Sequence, residues 1–232
     1  MADFIYNNTD LSKFVKVEDI RRPLVSVSNT YYDLPGKEGA YFLKRKLNSK
    51  PVEVDIRLIE EVFNKNINET KDILLSSLLV ESPKKLELKD YKDRYEMAIL
   101  DGEIDFQKFL NTGFITLKFI NPDGVFYSKE EYKSLNNIGN LKAPFKLRGQ
   151  ISKELVTITN NKTLEKITIN TSGMINKTIE VDTGLEAVYI DNKNAMRYVF
   201  LDSDFFYLSK GENSIKLEGI TSPIYRYRAR WA

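Results

Sequence analysis

Apolar and polar positions alternate every second residue over most of the chain, the spacing that turns one side of a β-strand inward and the other to solvent. Val52, Val54, Ile56 and Leu58 alternate with Glu53, Asp55, Arg57 and Ile59, and Phe14 to Glu18, Leu86 to Leu88 and Gly113 to Ile120 read as further strands. One stretch changes period. Ile73, Leu74, Leu75, Leu78 and Leu79 recur at helical spacing between Asn68, an N-capping residue type, and the Ser82-Pro83 stop. This predicts one substantial helix over 68–80, its leucine stripe packed on a sheet. Arg94 to Leu100 runs into Asp101-Gly102, a two-residue hairpin signal with Glu103 to Leu110 as the returning arm.

Turn residues punctuate the rest. Ile5 to Ser12 reads as a short apolar start, a polar turn and a return, and Arg21-Arg22-Pro23 removes a ladder donor, which places it at an edge or outside a sheet. Gly36 and Gly39, in Pro35 to Ala40, form a lone Gly-x-x-Gly. The strand and helix that would present it to a phosphate are absent, so it is read as a hairpin tip. Residues 127–142 look like a connection, dividing the chain into domains 1–134 and 135–232. In the second half, turn signals recur near Gly149, Asn160-Asn161, Ser172-Gly173, Thr183-Gly184, Asp191-Asn192, Lys210-Gly211 and Ser222-Pro223. A spacing of roughly 8–12 residues predicts an antiparallel sandwich. Its expected inward pairs are Ile167/Ile169, Ile179/Val181, Val188/Ile190 and Val199/Leu201. The fold class expected is mainly β with one substantial helix.

The last thirty residues carry the most distinctive pattern. An aromatic run, Phe205-Phe206-Tyr207, enters a turn in which Gly211 can take positive φ and Asn213 can bond back to its own backbone. The final strand then puts Tyr225, Tyr227, Ala229 and Trp231 on one face and Ile224, Arg226, Arg228 and Arg230 on the other. Three aligned guanidiniums repel unless acids, phosphates or carbonyls meet them. An acidic face of a neighbouring domain or subunit is the first choice, ahead of a solvated edge. DNA comes last, because three charges give only weak, salt-sensitive affinity. Arg226, Arg228, Arg230 and Trp231, with Arg21 and Arg22, are the candidate interface residues. Gly36, Gly39, Asp101, Gly102, Gly211 and Asn213 are the candidate turn residues.

Composition narrows the chemistry. Cysteine and histidine are both absent, which removes disulfides, thiolate nucleophiles, imidazole bases and the usual zinc ligands. A net charge of +2 gives no broad nucleic-acid or membrane footprint. No apolar run reaches the roughly 18 residues of a membrane span. Met1-Ala2-Asp3 begins no signal sequence, so a soluble protein made where it is used is expected. Asp202 and Asp204 are the one carboxylate pair worth weighing for glycosidase chemistry. Local backbone bonding by an Asp before a turn is the stronger reading. Tyr189, Tyr198, Phe205, Phe206 and Tyr207 could stack on a sugar, but core and interface roles outweigh that. Neither a catalytic residue nor a metal or other cofactor is predicted.

Several separated signatures together resemble the distal tail proteins of long-tailed, non-contractile bacteriophages. They are the Asn7 to Ser12 start, Pro35 to Ala40, the central hairpin, Ala143-Pro144, and Phe205 to Asn213 with the Arg230-Trp231 end. Where many members carry an Asp-Pro-Tyr-like sequence, this chain has Asn121-Pro122-Asp123-Gly124, so no contact is carried over from it. The resemblance implies an N-terminal β-rich belt domain and a C-terminal galectin-like sandwich. It also implies a homohexameric ring at the virion tail tip, synthesised in the bacterial host cytoplasm. The ring would join the tail tube protein to the tail-associated hub protein and, in many phages, to the receptor-binding protein. DNA would pass through it without specific binding, and no membrane is involved. The reading from a different class is a carbohydrate-binding module or adhesin of sandwich type.

Overall fold

The structure, a computed structural model, describes residues 3–59 and 67–232. The chain forms two compact units, Met1–Tyr127 with Ala232, and Ser128–Trp231. The stretch 128–134 packs with the second unit, where Tyr132 bridges to Tyr227.

In the first unit β1 (Phe4–Tyr6) and β2 (Thr9–Asp10) join through Asn7 and Asn8, both at positive φ (50° and 62°). That is the pair of left-handed residues a two-residue hairpin turn requires. The remaining strands are β3 (Val15–Arg21), β4 (Val27–Asp33), β5 (Ala40–Leu47), β6 (Lys50–Leu58), β7 (Lys84–Leu88), β8 (Arg94–Leu100) and β9 (Phe114–Asn121). Their sheet runs β2-β1-β7-β8-β9-β6-β3, while β4 and β5 pair only with each other. Alternation in β6 buries Val52, Val54, Ile56 and Leu58 against Leu74, Leu78, Leu86 and Phe119.

The predicted helix spans Ile67–Leu78. Its buried stripe is Thr70, Leu74, Ser77 and Leu78, with the Ser77 hydroxyl bonded to the Ile73 carbonyl at 2.8 Å. Leu79, expected in the stripe, is exposed, because the helical period puts it on the side opposite Thr70, Leu74 and Ser77. The cap assigned to Asn68 falls on a side chain outside the described residues. A second correction concerns Glu103 to Leu110, which is not a returning strand. Phe106–Thr112 is a short helix whose Phe109 is buried, and β8 pairs directly with β9 through Ile99↔Ile120 and Leu100↔Phe119. Phe106, Phe109 and Leu110 stand three and four apart, a helical spacing that outweighs the Asp101-Gly102 turn signal.

From the boundary onward come β10 (Phe126–Ser128), β11 (Asn136–Asn137), β12 (Phe145–Ile151), β13 (Leu155–Asn160), β14 (Lys166–Asn170) and β15 (Thr178–Asp182). They are followed by β16 (Ala187–Ile190), β17 (Lys193–Asn194), β18 (Gly211–Glu212), β19 (Ile215–Glu218), β20 (Ile220–Tyr227) and β21 (Arg230–Trp231). One sheet has the order β17-β16-β15-β12-β20 and a second β14-β13-β19. Leu147, Val181 and Val188 of the first share a core with Val156, Ile158, Ile167 and Ile169 of the second, which makes the unit a sandwich of two antiparallel sheets. The molecule is mainly β.

Two expectations fail in this unit. Val199 is only half-buried and Leu201 is fully exposed, because Met196–Tyr198 is a 3-10 turn and Leu201-Asp202 a further turn, so no alternating strand forms there. Gly149 is not a turn residue either. It lies inside β12, where a Cβ would overlap the Ile220 side chain, so the glycine serves close approach of β20.

Candidate functional site

The most unusual surface is the β4–β5 hairpin. Tyr31 pairs with Phe42 and Tyr32 with Tyr41, while a bulge lies between Thr30 and Tyr31. Gly36 and Gly39, at φ 81° and 79°, form the tip, with open space around both α-carbons. Every residue of β4 and all but Leu47 of β5 are exposed, so both faces of the ribbon meet solvent. Tyr31, Tyr32, Tyr41, Phe42 and Leu43 crowd its outer half, and Lys44, Arg45 and Lys46 follow toward its base. A two-stranded ribbon without a covered face is marginal alone in water, and an exposed apolar cluster of this kind marks a contact surface.

Charge is concentrated where the hairpin leaves its unit. Arg22 is almost covered: its guanidinium meets Glu96 at 3.2 Å and Asp90 at 3.1 Å and lies over the ring of Phe126 at 5.0 Å. Glu96 is buried and also accepts from the Asn121 amide at 2.9 Å. Burial raises its pKa above the usual carboxylate range, against the pull of Arg22 and Asn121. Lys50, likewise buried, donates to the Leu24 carbonyl at 3.0 Å, and burial lowers its pKa despite the Glu96 charge. Arg22 therefore faces into its own unit. There it balances the buried acid beside it.

Arg21 points the other way, to an exposed edge, and is met by Asp19 (3.0 Å), Glu53 (3.3 Å) and Asp55 (3.0 Å). The hydrogen bond from Arg21, with another from Thr116, holds the Asp55 carboxyl below its ordinary range.

At the other end of the chain, Tyr225, Tyr227, Ala229 and Trp231 turn inward onto the sandwich core, and Arg226, Arg228 and Arg230 lie on the opposite side. All three guanidiniums are met. Arg226 faces Glu131 at 3.8 Å, Arg228 donates to the Ser128 and Lys129 carbonyls at 2.9 and 2.5 Å, and Arg230 reaches the Lys142 carbonyl at 3.4 Å. The repulsion is relieved within the unit, chiefly by backbone oxygens.

Gly211 takes φ 82°, and the Asn213 side chain accepts from the Ser209 amide and donates to the Leu135, Ser209 and Gly211 carbonyls, all between 2.8 and 3.1 Å. Gly102 takes φ 103°, and the Asp101 amide donates to Lys118. Asp202 and Asp204 are exposed, and the turn at Leu201-Asp202 replaces the extended stretch that would have aligned them. Phe206 is buried in the sandwich core, and Tyr198 and Phe205 pack against it.

Sequence reading missed Glu96, Lys50 and Asn121, although a signal existed. Lys50 is in phase with the inward positions of β6, and Glu96 with inward Ala98 of β8. A cation and an acid in the buried phase of two strands can be sustained only as partners.

Two family models match the chain. The phage tail protein RIFT-related domain covers residues 6–121, and the siphovirus-type tail component, C-terminal domain, covers residues 138–231. No curated protein matches. Among solved structures, the fold is similar to the crystal structure of SPP1 Dit (gp 19.1), titled a paradigm of the hub adsorption apparatus in Gram-positive infecting phages. The identity is 16%, 99% of each chain is covered, and the TM-score is 0.80. It is also similar to a chain of the phage P2 baseplate in its activated conformation with Ca, at 10% identity over 95% of this chain and 92% of that one, TM-score 0.52.

Proposed function

Because this chain belongs to the distal tail (Dit) family of siphovirus-type tail components, and is thus a structural part of a phage tail, we propose that it closes a homohexameric ring at the tail tip. In this reading the first unit is the belt. The second unit is the galectin-like sandwich. The ring joins the tail tube to the tail-associated hub and receptor-binding proteins during adsorption, and DNA passes through its opening.

The observation that carries this is the β4–β5 arm. It exposes tyrosine, phenylalanine and leucine on both faces, a surface that none of the described residues covers. A ring needs a head-to-tail contact in which an element of each copy fits a different surface of the next. A projecting ribbon with a bare aromatic end suits such a contact. No catalytic step is assigned, and the part is mechanical.

The test is assembly. Purified protein should form six-fold rings, single or stacked, in electron micrographs and scatter light as hexamers at high concentration. The triple variant Tyr32→Ser, Tyr41→Ser, Phe42→Ser should remain a folded monomer. A wild-type chain that stays monomeric at all concentrations, alone and with its tail partners, would sink the reading.

A glycan-binding reading rests on one observation, an open groove of about 560 Å³ lined by Asn170, Arg197, Tyr198, Phe200 and Asp202. Aromatic and planar polar groups in one groove are the chemistry of sugar recognition. Binding of the whole chain to a glycan array, lost on Phe200→Ala, would favour it.

A further inference from the structure

The two strands of the arm are each rooted in the same buried charge cluster. Arg22 precedes β4, and Lys50 opens β6 just beyond β5. Both cations approach the Phe126 ring, Arg22 at 5.0 Å and Lys50 at 5.7 Å. Glu96 meets Arg22 directly, and its charge acts on Lys50. Lys50 in turn ties down Leu24, and the Asn48 amide donates to Ser26 at 2.9 Å, closing the base of the ribbon. The loop after β9 completes the fitting. Asn121 holds Glu96 and, through its carbonyl side, the amides of Asp123 and Gly124 at 3.1 and 2.9 Å. Gly124 lies so close to the Asn48 carbonyl that a Cβ would overlap it.

We infer that Glu96, acting through Arg22 and Lys50, is the positioning residue that sets the direction in which the arm leaves its unit. The inference rests on the arm being the assembly element. The ribbon has no packed face to orient it, so its aim depends on its two ends. An acid and two cations buried together are strongly directional, because removing one charge leaves the others unpaired in a low-dielectric site. Asp90 also belongs to the cluster, sharing Arg22 and lying partly in solvent. With Glu96 neutral, Arg22 would keep Asp90 alone, and Lys50 would lose its counter-charge.

The chain has no cysteine, so two introduced ones can be labelled cleanly. Spin labels at Lys37→Cys on the arm and Lys118→Cys on β9 report the arm's direction in the dilute monomer by pulsed dipolar spectroscopy. In the parent, the distance distribution should be narrow. Glu96→Gln should widen it by about two-fold or more and weaken ring formation by about ten-fold, the scale expected when a supporting shell loosens. Lys50→Met, which frees one root only, should widen it less and serves if Glu96→Gln does not fold. An equally narrow distribution in a folded Glu96→Gln or Lys50→Met variant overturns the inference, as does a broad one in the parent. The Tyr32, Tyr41, Phe42 serine triple separates the two readings. It should leave the distribution narrow while abolishing rings, and rings that persist in it would count against the arm as assembly element without touching the distances.

Discussion

The arm and the last long strand of the sandwich use similar residues to opposite ends. In β20, Tyr225 and Tyr227 share one face and are covered by the core, while Arg226 stands on the other. In β4 and β5, tyrosines and a phenylalanine stand on both faces, and none of the described residues covers either. Strand alternation separates an inside from an outside only where a second layer exists. The sandwich is completed by its own sequence. The arm has the pairing of a finished hairpin and the surface of an interface.

The sharpest way to break this contrast is to truncate one apolar side chain in each region. Leu147→Ala removes a fully buried side chain from the sandwich and should cost about 2–5 kcal/mol in urea unfolding. Phe42→Ala, at 56% exposure, should change the stability of the isolated chain by no more than about 0.5 kcal/mol. Comparable losses from the two would mean that the arm packs on its own chain.

Glycines at matched φ sharpen it further. Gly219 (φ 81°) lies at the end of β19, where a Cβ would overlap the Leu155 carbonyl, whereas Gly36 (φ 81°) has open space around it. Alanine at Gly36 should cost only the left-handed backbone penalty, about 1–2 kcal/mol, and at Gly219 clearly more. Differential scanning calorimetry on the two variants gives the comparison directly. Asn213→Ala should fall between them. It strips four hydrogen bonds from the turn that enters β19, and a loss of about 1–3 kcal/mol is expected from the carbonyls left unmet. A loss below about 0.5 kcal/mol in the same calorimetry would show that water replaces that side chain freely.

The same contrast explains what could be read from the sequence. Val52 to Leu58 and Ile179/Val181 were legible because each strand has one buried face and period two maps straight onto burial. The inward aromatic face of the C-terminal strand was legible for the same reason. Val199/Leu201 looked equally regular, but a 3-10 turn set by tertiary bonds, such as the Phe200 amide to the Thr168 carbonyl, took the place of a strand. Phe106–Thr112 is helical where the Asp101-Gly102 signal predicts a returning strand, because Phe106, Phe109 and Leu110 carry a competing helical spacing. The hairpin tip at Gly36 and Gly39 was visible, yet the bareness of both arm faces was not, since exposure depends on what the chain does not bring near. The Glu96 cluster is hidden in the sequence because a charged residue in a strand ordinarily faces solvent.

The smallest effect expected is on pH dependence, and it separates the arm's root from the nearby sheet edge. Asp55 sits at that edge with its pKa depressed by Arg21 and Thr116, so the stability it contributes is present above its unfolded pKa and is lost as pH falls through the lower folded value. Glu96, at the root, has the opposite sign. Burial raises its folded pKa, so its contribution is complete below the unfolded value and is lost as pH rises through the raised one. Urea melts of parent, Asp55→Asn and Glu96→Gln at a series of pH values read this as two differences. The advantage of parent over Asp55→Asn should shrink on acidification below about pH 4, the ordinary carboxylate range. That of parent over Glu96→Gln should shrink as pH climbs above the ordinary carboxylate range, because ionisation gives the parent a buried charge that the amide never has. If the second difference instead grows with pH, the attraction of Arg22 and Lys50 outweighs the cost of burying the carboxylate. The root would then be strongest when Glu96 is ionised in both senses, in holding the arm and in holding the fold.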